Sequence, residues 1–318
     1  MIRTAFIGAG RRSQGAHYPN VNRLEDVEMV AACELDEELL HEVAVAYDFQ
    51  YRYDDHRRML EEVDPDMVYC VMHERWLLQT ALDCLNAGKH TFIEKPPGMN
   101  MDEVQQIHDA AVANDVICAV GFQRRHAAVT REAMRQVARL GPVSTAVGTF
   151  HKRMLGEDAF SFTTTNWDDL CHAVDLVRYM VGGEPVEVTA YQDRFDSSYR
   201  NCYTALVRFD NGATGFIHGN RASGGRVLRG ELHGTGVGCY FKLPHEIEIT
   251  EDNEARTLGG WQIDGVDEAD TSRYDGVLSM HEHIVDCVRT GEKPLTDIRD
   301  AIHSMALVAQ LEGAEGRD

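Results

Sequence analysis

Lysine is scarce in this chain: five residues (89, 95, 152, 242, 293) among 31 basic ones, against 52 Asp and Glu. The resulting formal charge of −21 opposes binding to nucleic acid or to an anionic membrane surface. Acid excess with so little lysine suits either a high-salt cytoplasm or a GC-rich genome that favours arginine. Paired cysteines are lacking too. The eight cysteines (33, 70, 84, 118, 171, 202, 239, 287) form no CxxC and no regular framework, so reduced core thiols are expected. Nothing approaches the roughly 18 consecutive apolar residues of a membrane-spanning helix. Met1 leads through Ala5-Phe6-Ile7 straight into Gly8-Ala9-Gly10, so no cleavable leader is expected and the expected location is the cytoplasm. With 8 Pro, 27 Gly and 43% hydrophobic residues, collagen-like, low-complexity and disordered classes are excluded, and 318 residues leave room for about two domains.

The first 120 or so residues carry a regular rhythm. Ile2 to Ile7 is a short apolar run stopped by Gly8-Ala9-Gly10, as a buried strand entering a tight turn would be. A helix is expected near 16–24 and a strand over Val27–Cys33. Helical stretches near 36–47, 56–62, 75–87 and 101–113 then alternate with strand candidates at 67–72, 91–93 and 116–120. Parallel strands need long crossovers, so this alternation predicts an α/β doubly wound sheet with helices on both faces.

Gly8-x-Gly10 lies where a dinucleotide fingerprint belongs, after the first strand and before the first helix, so that backbone can approach a pyrophosphate. The third small position is Ser13 instead of glycine, small enough for close helix–strand contact; a bare Gly-Ala-Gly turn with no ligand is the competing reading. Glu34, 24 positions beyond Gly10, ends the second strand, where an acidic side chain accepts hydrogen bonds from ribose hydroxyls. The acidic run Glu34-Leu35-Asp36-Glu37-Glu38 would repel a 2′-phosphate and favours NAD, while Arg11 and Arg12 beside the turn keep NADP open.

Ala87-Gly88-Lys89-His90 followed by Glu94-Lys95-Pro96 resembles the Gfo/Idh/MocA family of NAD(P)-dependent sugar and cyclitol oxidoreductases. The resemblance continues through Trp167-Asp168-Asp169-Leu170-Cys171-His172-Ala173-Val174-Asp175 to Gly291-Glu292-Lys293-Pro294 and covers most of the chain. It implies a dinucleotide-binding Rossmann domain over residues 1–121 and an α+β domain over 122–318, built on an open, mostly antiparallel sheet, for substrate binding and oligomerisation as a homodimer or homotetramer. It also implies that Lys95 reaches the substrate, that Asp168 and His172 form an acid/base pair, and that Glu94 and Lys95 border the cofactor.

The i, i+4 spacing of Asp168 and His172 puts both on one helical face, where a carboxylate can orient or stabilise an imidazolium, and Asp175 follows at +3. Read alone, Lys95 is a solvated loop lysine and His172 a structural histidine. Lys95 nevertheless follows an apolar strand at the carboxyl edge of the expected sheet, where open α/β folds bind ligands. Two departures stand out. Met72-His73-Glu74-Arg75-Trp76 replaces a Thr-Pro-Pro turn, with Leu77 in the usual histidine place, and Thr163-Thr164-Thr165-Asn166 replaces a glycine-rich stretch.

From Gly141-Pro142 onward the texture turns to short β-rich runs: Val143–Lys152, Val186–Arg194, Tyr203–Phe209, Ala213–His218, then 226–235, 237–243 and 245–250, with helices near 277–289 and 299–312. Asp210-Asn211-Gly212 predicts a type I′ hairpin turn. Arg124, Arg125 and His126 read as solvated helix-surface residues in preference to contacts with the substrate or a nucleotide phosphate. His151-Lys152-Arg153 reads either as a polar substrate contact or as an exposed strand end. His281-Glu282-His283 has only superficial metal-ligand spacing, and no metal is expected. Glu312 to Asp318 reads as a frayed acidic tail.

Together these features predict an oxidoreductase that moves a hydride between NAD(P) and a secondary alcohol or ketone of a sugar, cyclitol or related polyol. The rival is a non-catalytic sensor on the same fold. A sensor has no need for the proton acceptor that His172 with Asp168 supplies.

Overall fold

Six short strands, β1 (Ile2–Ile7), β2 (Val27–Cys33), β3 (Tyr51–Tyr53), β4 (Met67–Cys70), β5 (His90–Ile93) and β6 (Cys118–Val120), pair in parallel in the order β3-β2-β1-β4-β5-β6. All four residues of β4 are buried, as expected of a central strand covered on both faces. The crossovers carry α1 (Tyr18–Val21), α2 (Glu37–Ala46), α3 (His56–Val63), α4 (Glu74–Asn86) and α5 (Met101–Ala113). Side chains of Asp36, Asp55, His73 and Asn100 accept first-turn backbone N–H groups and fix where α2, α3, α4 and α5 begin. Strand order reverses between β1 and β4, the topological switch point at which doubly wound sheets open a crevice at their carboxyl ends. The computed structural model describes residues 1–155 and 163–313. The acidic tail expected to fray lies, from residue 314 onward, outside the described residues.

The second sheet follows α6 (Ala128–Ala138) and comprises β7 (Val143–Arg153), then, after α7 (Cys171–Val181), β8 (Pro185–Asp193), β9 (Cys202–Phe209), β10 (Thr214–Asn220), β11 (Ala222–Gly234), β12 (Val237–Lys242), β13 (Glu246–Glu251) and β14 (Glu254–Gly259). Its order is β14-β13-β12-β11-β7-β10-β9-β8, antiparallel except between β10 and β7. After α8 (Gly260–Asp264) and α9 (Thr271–Tyr274) come α10 (Val277–Thr290) and α11 (Ile298–Glu312).

The chain forms two compact units, Met1–Phe122 with Val277–Ile302, and Gln123–Gly276 with His303–Asp318. The first unit thus takes in a late segment that a single cut of the chain does not provide for: Met280, Ile284 and Cys287 of α10 pack into the core of the parallel sheet with Phe6, Tyr69 and Phe92. All eight cysteines are buried, and none of them is in a disulfide. Among the described residues no helix is long and apolar enough to cross a membrane.

Two expectations fail. The Asp210-Asn211-Gly212 hairpin forms, but only Gly212 has positive φ (88°), and Gly212 N–H donates to Phe209 O at 3.0 Å. A type I′ turn needs positive φ at both central residues, and that geometry occurs instead at Asp252 (54°) and Asn253 (65°), between β13 and β14. Arg124, Arg125 and His126 are not solvated: they form a buried 3₁₀ turn, with Arg125 only 2% exposed.

Candidate active site

Backbone crowding explains the first glycine of the turn. Gly8 has φ of 100°, and a Cβ there would lie 2.2 Å from Val71 O, so only glycine lets the end of β1 press against the chain leaving β4. Gly10 is different: a Cβ on it would meet nothing within 4 Å. Its lack of a side chain serves no packing purpose inside the protein and leaves open the space a pyrophosphate would take at the start of the following helix, where Gln14 N–H already donates to Gly10 O at 3.1 Å. Ser13, in place of a third glycine, is buried and donates its hydroxyl to Gly8 O at 2.7 Å, a bond that glycine could not make. Glu34 accepts from Ala9 N–H at 2.8 Å through one carboxylate oxygen and from Leu35 N–H at 2.7 Å through the other. The end of β2 is therefore tied to the glycine turn, with Asp36 beside it capping α2. These residues fit a dinucleotide: a glycine turn with open space above it, and an acid at the tip of the second strand.

At the tip of β5, Glu94 is nearly buried and accepts from three directions: Arg12 Nε at 2.6 Å and His17 Nε2 at 2.8 Å on Oε1, and Lys95 N–H at 3.1 Å on Oε2. Burial alone would raise its pKa, but the Arg12 guanidinium and then the His17 hydrogen bond hold the carboxyl well below the usual carboxylate range. His17 is itself buried and held below its ordinary value, chiefly by desolvation. Its other ring nitrogen lies 3.0 Å from His281 Nε2 of α10. Gly8, Gly10, Arg12, Ser13, Glu34, Glu94 and Lys95 thus gather at the carboxyl ends of β1, β2 and β5. Arg11 is exposed beside them, and Arg12, which with Arg11 keeps NADP open in the sequence, is engaged by Glu94.

In the second unit, Asp168 lies in a π-helical turn (Asn166–Leu170) that runs directly into α7, and His172 follows in the first turn of α7, 7% exposed, with its ring centroid 6.2 Å from that of Phe150. The acids around this pair have other partners. Asp169 accepts from Lys152 Nζ at 2.5 Å and lies 3.3 Å from Arg221 Nη2, while Asp175 holds Arg125 and Ser304 Oγ, the latter at 2.8 Å. Lys152 therefore belongs to a side-chain ion pair and is not merely an exposed strand end. His73, in the departing loop, caps α4 by accepting Arg75 N–H at 3.3 Å. Thr164, in the other departing segment, accepts Asp168 N–H at its carbonyl (3.0 Å) and donates its hydroxyl to Glu312 at 2.5 Å, so it braces the start of the Asp168 turn.

Sequence reasoning missed His17 and weighed His281 only as part of a superficial metal-ligand spacing. Each is a histidine inside a helix, and the partners that give them meaning lie 77 and 264 positions away in the chain. The one local signal was a histidine four residues after Ser13, on the helix that leaves the glycine turn. Among the described residues no group of three or more His, Cys, Asp or Glu side chains could hold a metal ion.

Comparison with known proteins agrees with this geometry. The family model described as "Oxidoreductase family, NAD-binding Rossmann fold" (GFO_IDH_MocA) matches residues 2–122, and the "GFO/IDH/MocA C-terminal domain" matches residues 133–237. Scyllo-inositol 2-dehydrogenase (NAD(+)) of Bacillus subtilis is 24% identical over 317 residues, covering 95% of this chain and 91% of its own. Myo-inositol 2-dehydrogenase of Thermotoga maritima is 25% identical over 320 residues, covering 96% and 93%. A crystallised dehydrogenase from Chromobacterium violaceum has the same fold, with a TM-score of 0.90 at 18% identity over 98% of this chain and 95% of its own.

Proposed function

The chain belongs to the GFO/IDH/MocA family of NAD-binding oxidoreductases, and from that premise we propose that it interconverts a secondary alcohol and a ketone on a sugar, cyclitol or related polyol. The observation that carries the reading is the pairing of the Gly8–Glu34 turn, shaped for a dinucleotide, with a Glu94-Lys95-Pro96 tip whose acid is fixed by three hydrogen bonds. NAD, when bound, accepts or returns the hydride. Gly8, Gly10 and Ser13 shape the turn that admits its pyrophosphate, Glu34 accepts from its ribose, and Asp36, Glu37 and Glu38 disfavour a 2′-phosphate. Arg11 and Arg12 flank the turn. Residues 1–121, completed by the late segment 277–302, supply the cofactor side, and the rest of 122–318 the substrate side and the subunit contacts.

During oxidation His172 takes the hydroxyl proton and Asp168 orients and stabilises the imidazolium. Lys95 hydrogen-bonds the reacting oxygen and stabilises its developing negative charge. The assembly is a homodimer or homotetramer. Support comes from the second sheet, where Leu206 (49% exposed) and Phe216 (38%) are cross-strand neighbours on the face opposite buried Val207 and Ile217. Eight buried thiols, none in a disulfide, suit a cytoplasmic setting. The sensor alternative is disfavoured because the family's relatives over nearly the full chain are named dehydrogenases. The test is absorbance at the reduced-nicotinamide band with NAD and a panel of inositols and hexoses. Absence of turnover on every polyol, with NAD still bound, would return the sensor reading to first place.

A further inference from the structure

Glu94 oxygens are acceptors only, and the group that meets each one is visible. Because Glu94 is held ionised, the His17 nitrogen facing it carries a proton. Burial holds His17 neutral, so its Nδ1 is an acceptor, and the nitrogen 3.0 Å away, His281 Nε2, must be the donor. The protons are thereby assigned along the chain His281 Nε2–H to His17 Nδ1, and His17 Nε2–H to Glu94 Oε1. The other Glu94 oxygen accepts the backbone N–H of Lys95, so any rotation of this carboxylate disturbs the turn that carries Lys95. The space is fitted to that orientation: a Cβ at Gly121 would lie 3.0 Å from Glu94 Oε2, and the chain has none there. Both imidazoles are fully buried, packed edge-on or tilted against Phe92, with His281 also against Tyr69.

We infer that His17, backed by His281, is a positioning residue for the reaction: the two histidines hold the Glu94 carboxylate in the one orientation that sets Lys95 toward its substrate oxygen. The inference rests on the assignment of Lys95 to the substrate. His17 touches neither substrate nor reacting atoms and acts only through Glu94. Arg12, at 44% side-chain exposure, is the more solvated of the two side-chain donors to Oε1, so the buried His17 is the one that fixes the angle.

The scarcity of lysine makes this measurable without turnover. Full-length protein labelled with [ε-¹³C]lysine gives five lysine signals, and a Lys95→Arg variant assigns the one in question. His17→Leu should move the Lys95 signal by more than its linewidth, leave the other four in place and change the NAD dissociation constant less than twofold. His17→Gln, which restores an N–H toward Glu94, should return the signal. With a polyol that turns over, His17→Leu should lower kcat/KM about 10-fold, as displacement of a positioned group does. A Lys95 signal unmoved in His17→Leu, or moved equally in the Gln and Leu variants, overturns the inference. If His17→Leu does not fold, His281→Leu carries the same test from the other end of the chain of donors, and an unmoved signal there is equally decisive. The signal reports the relay whether or not Lys95 meets substrate. Lys95→Ala kinetics test that assignment separately, so the two failures are distinct.

Discussion

Arg125 and Asp175 form an ion pair sealed from solvent, with side chains 2% and 1% exposed and the guanidinium bonded through Nη2 to Oδ1 (2.5 Å) and through Nε to Oδ2 (3.0 Å). Asp175 lies on the same helix as His172, one turn beyond it, and Ser304 Oγ of α11 donates to the same Oδ1. Removing one partner strands a buried charge. Arg125→Met should cost about 3–5 kcal/mol of stability, whereas Arg125→Met with Asp175→Leu should recover much of the loss. Urea unfolding of the two variants checks this; equal destabilisation would mean that packing, not charge, dominates.

Cofactor choice follows from the tip of β2. NAD should bind more tightly than NADP, and Glu34→Ala should weaken NAD about 10-fold or more, the value of a lost hydrogen bond to a charged group. Fluorescence titration with both nucleotides is the measurement. Equal constants for the two would point to Arg11 as a 2′-phosphate partner.

Catalytic roles separate in kinetics. His172→Ala should lower kcat by about 10²- to 10⁴-fold with NAD affinity kept. Lys95→Ala should damage both kcat and KM, because its contact exists before the transition state. Asp168→Asn should fall between them. Turnover near wild type in His172→Ala across pH 6 to 9 would make this histidine structural and turn the search to His73.

Acid should destabilise the protein through His17. Burial lowers its folded pKa from 6.5, so below that value the unfolded chain binds a proton that the native chain does not. Its stabilisation is fully present above the unfolded pKa and is lost as pH falls through it. Below pH 6.5 the wild type should lose stability more steeply than His17→Gln as pH falls, by at most about 1.4 kcal/mol per pH unit, one proton's worth. Parallel pH–stability slopes in the two proteins would contradict a neutral His17.

Salt should stabilise. At −21, self-repulsion is screened when the Debye length shrinks to about 3 Å at 1 M. Thermal midpoints that do not rise between low and molar potassium chloride would favour genome composition as the origin of the acidic surface.

Most of the first sheet was legible because its signals are local: apolar runs stopped by glycine, and helices opened by Asp or Asn caps. β3 was missed because it has three residues, two of them exposed, and β14 because none of its residues is buried. Helix α6 escaped notice although Ala133 and Val137 follow the helical period. Arg124, Arg125 and His126 look like surface residues to any composition rule, and it is the arrival of Asp175, 50 positions after Arg125, that neutralises the buried guanidinium. At the candidate site, Gly8 and Glu34 could be read from spacing, and Glu94 from the resemblance that Glu94-Lys95-Pro96 carries. The His17–His281 contact could not, since each histidine alone resembles a core residue.

The late return of the chain into the first unit limits how this protein could be recombined. A fragment ending at Phe122 would carry every strand of the parallel sheet yet lack α10, leaving Phe6, Tyr69 and Phe92 facing a gap where Met280, Ile284 and Cys287 belong, and His17 without its donor. The cofactor module is therefore no portable cassette. Swapping it between homologues requires transplanting two stretches of chain together, so natural shuffling at the single junction near residue 122 would be selected against even where both halves fold well in their own contexts.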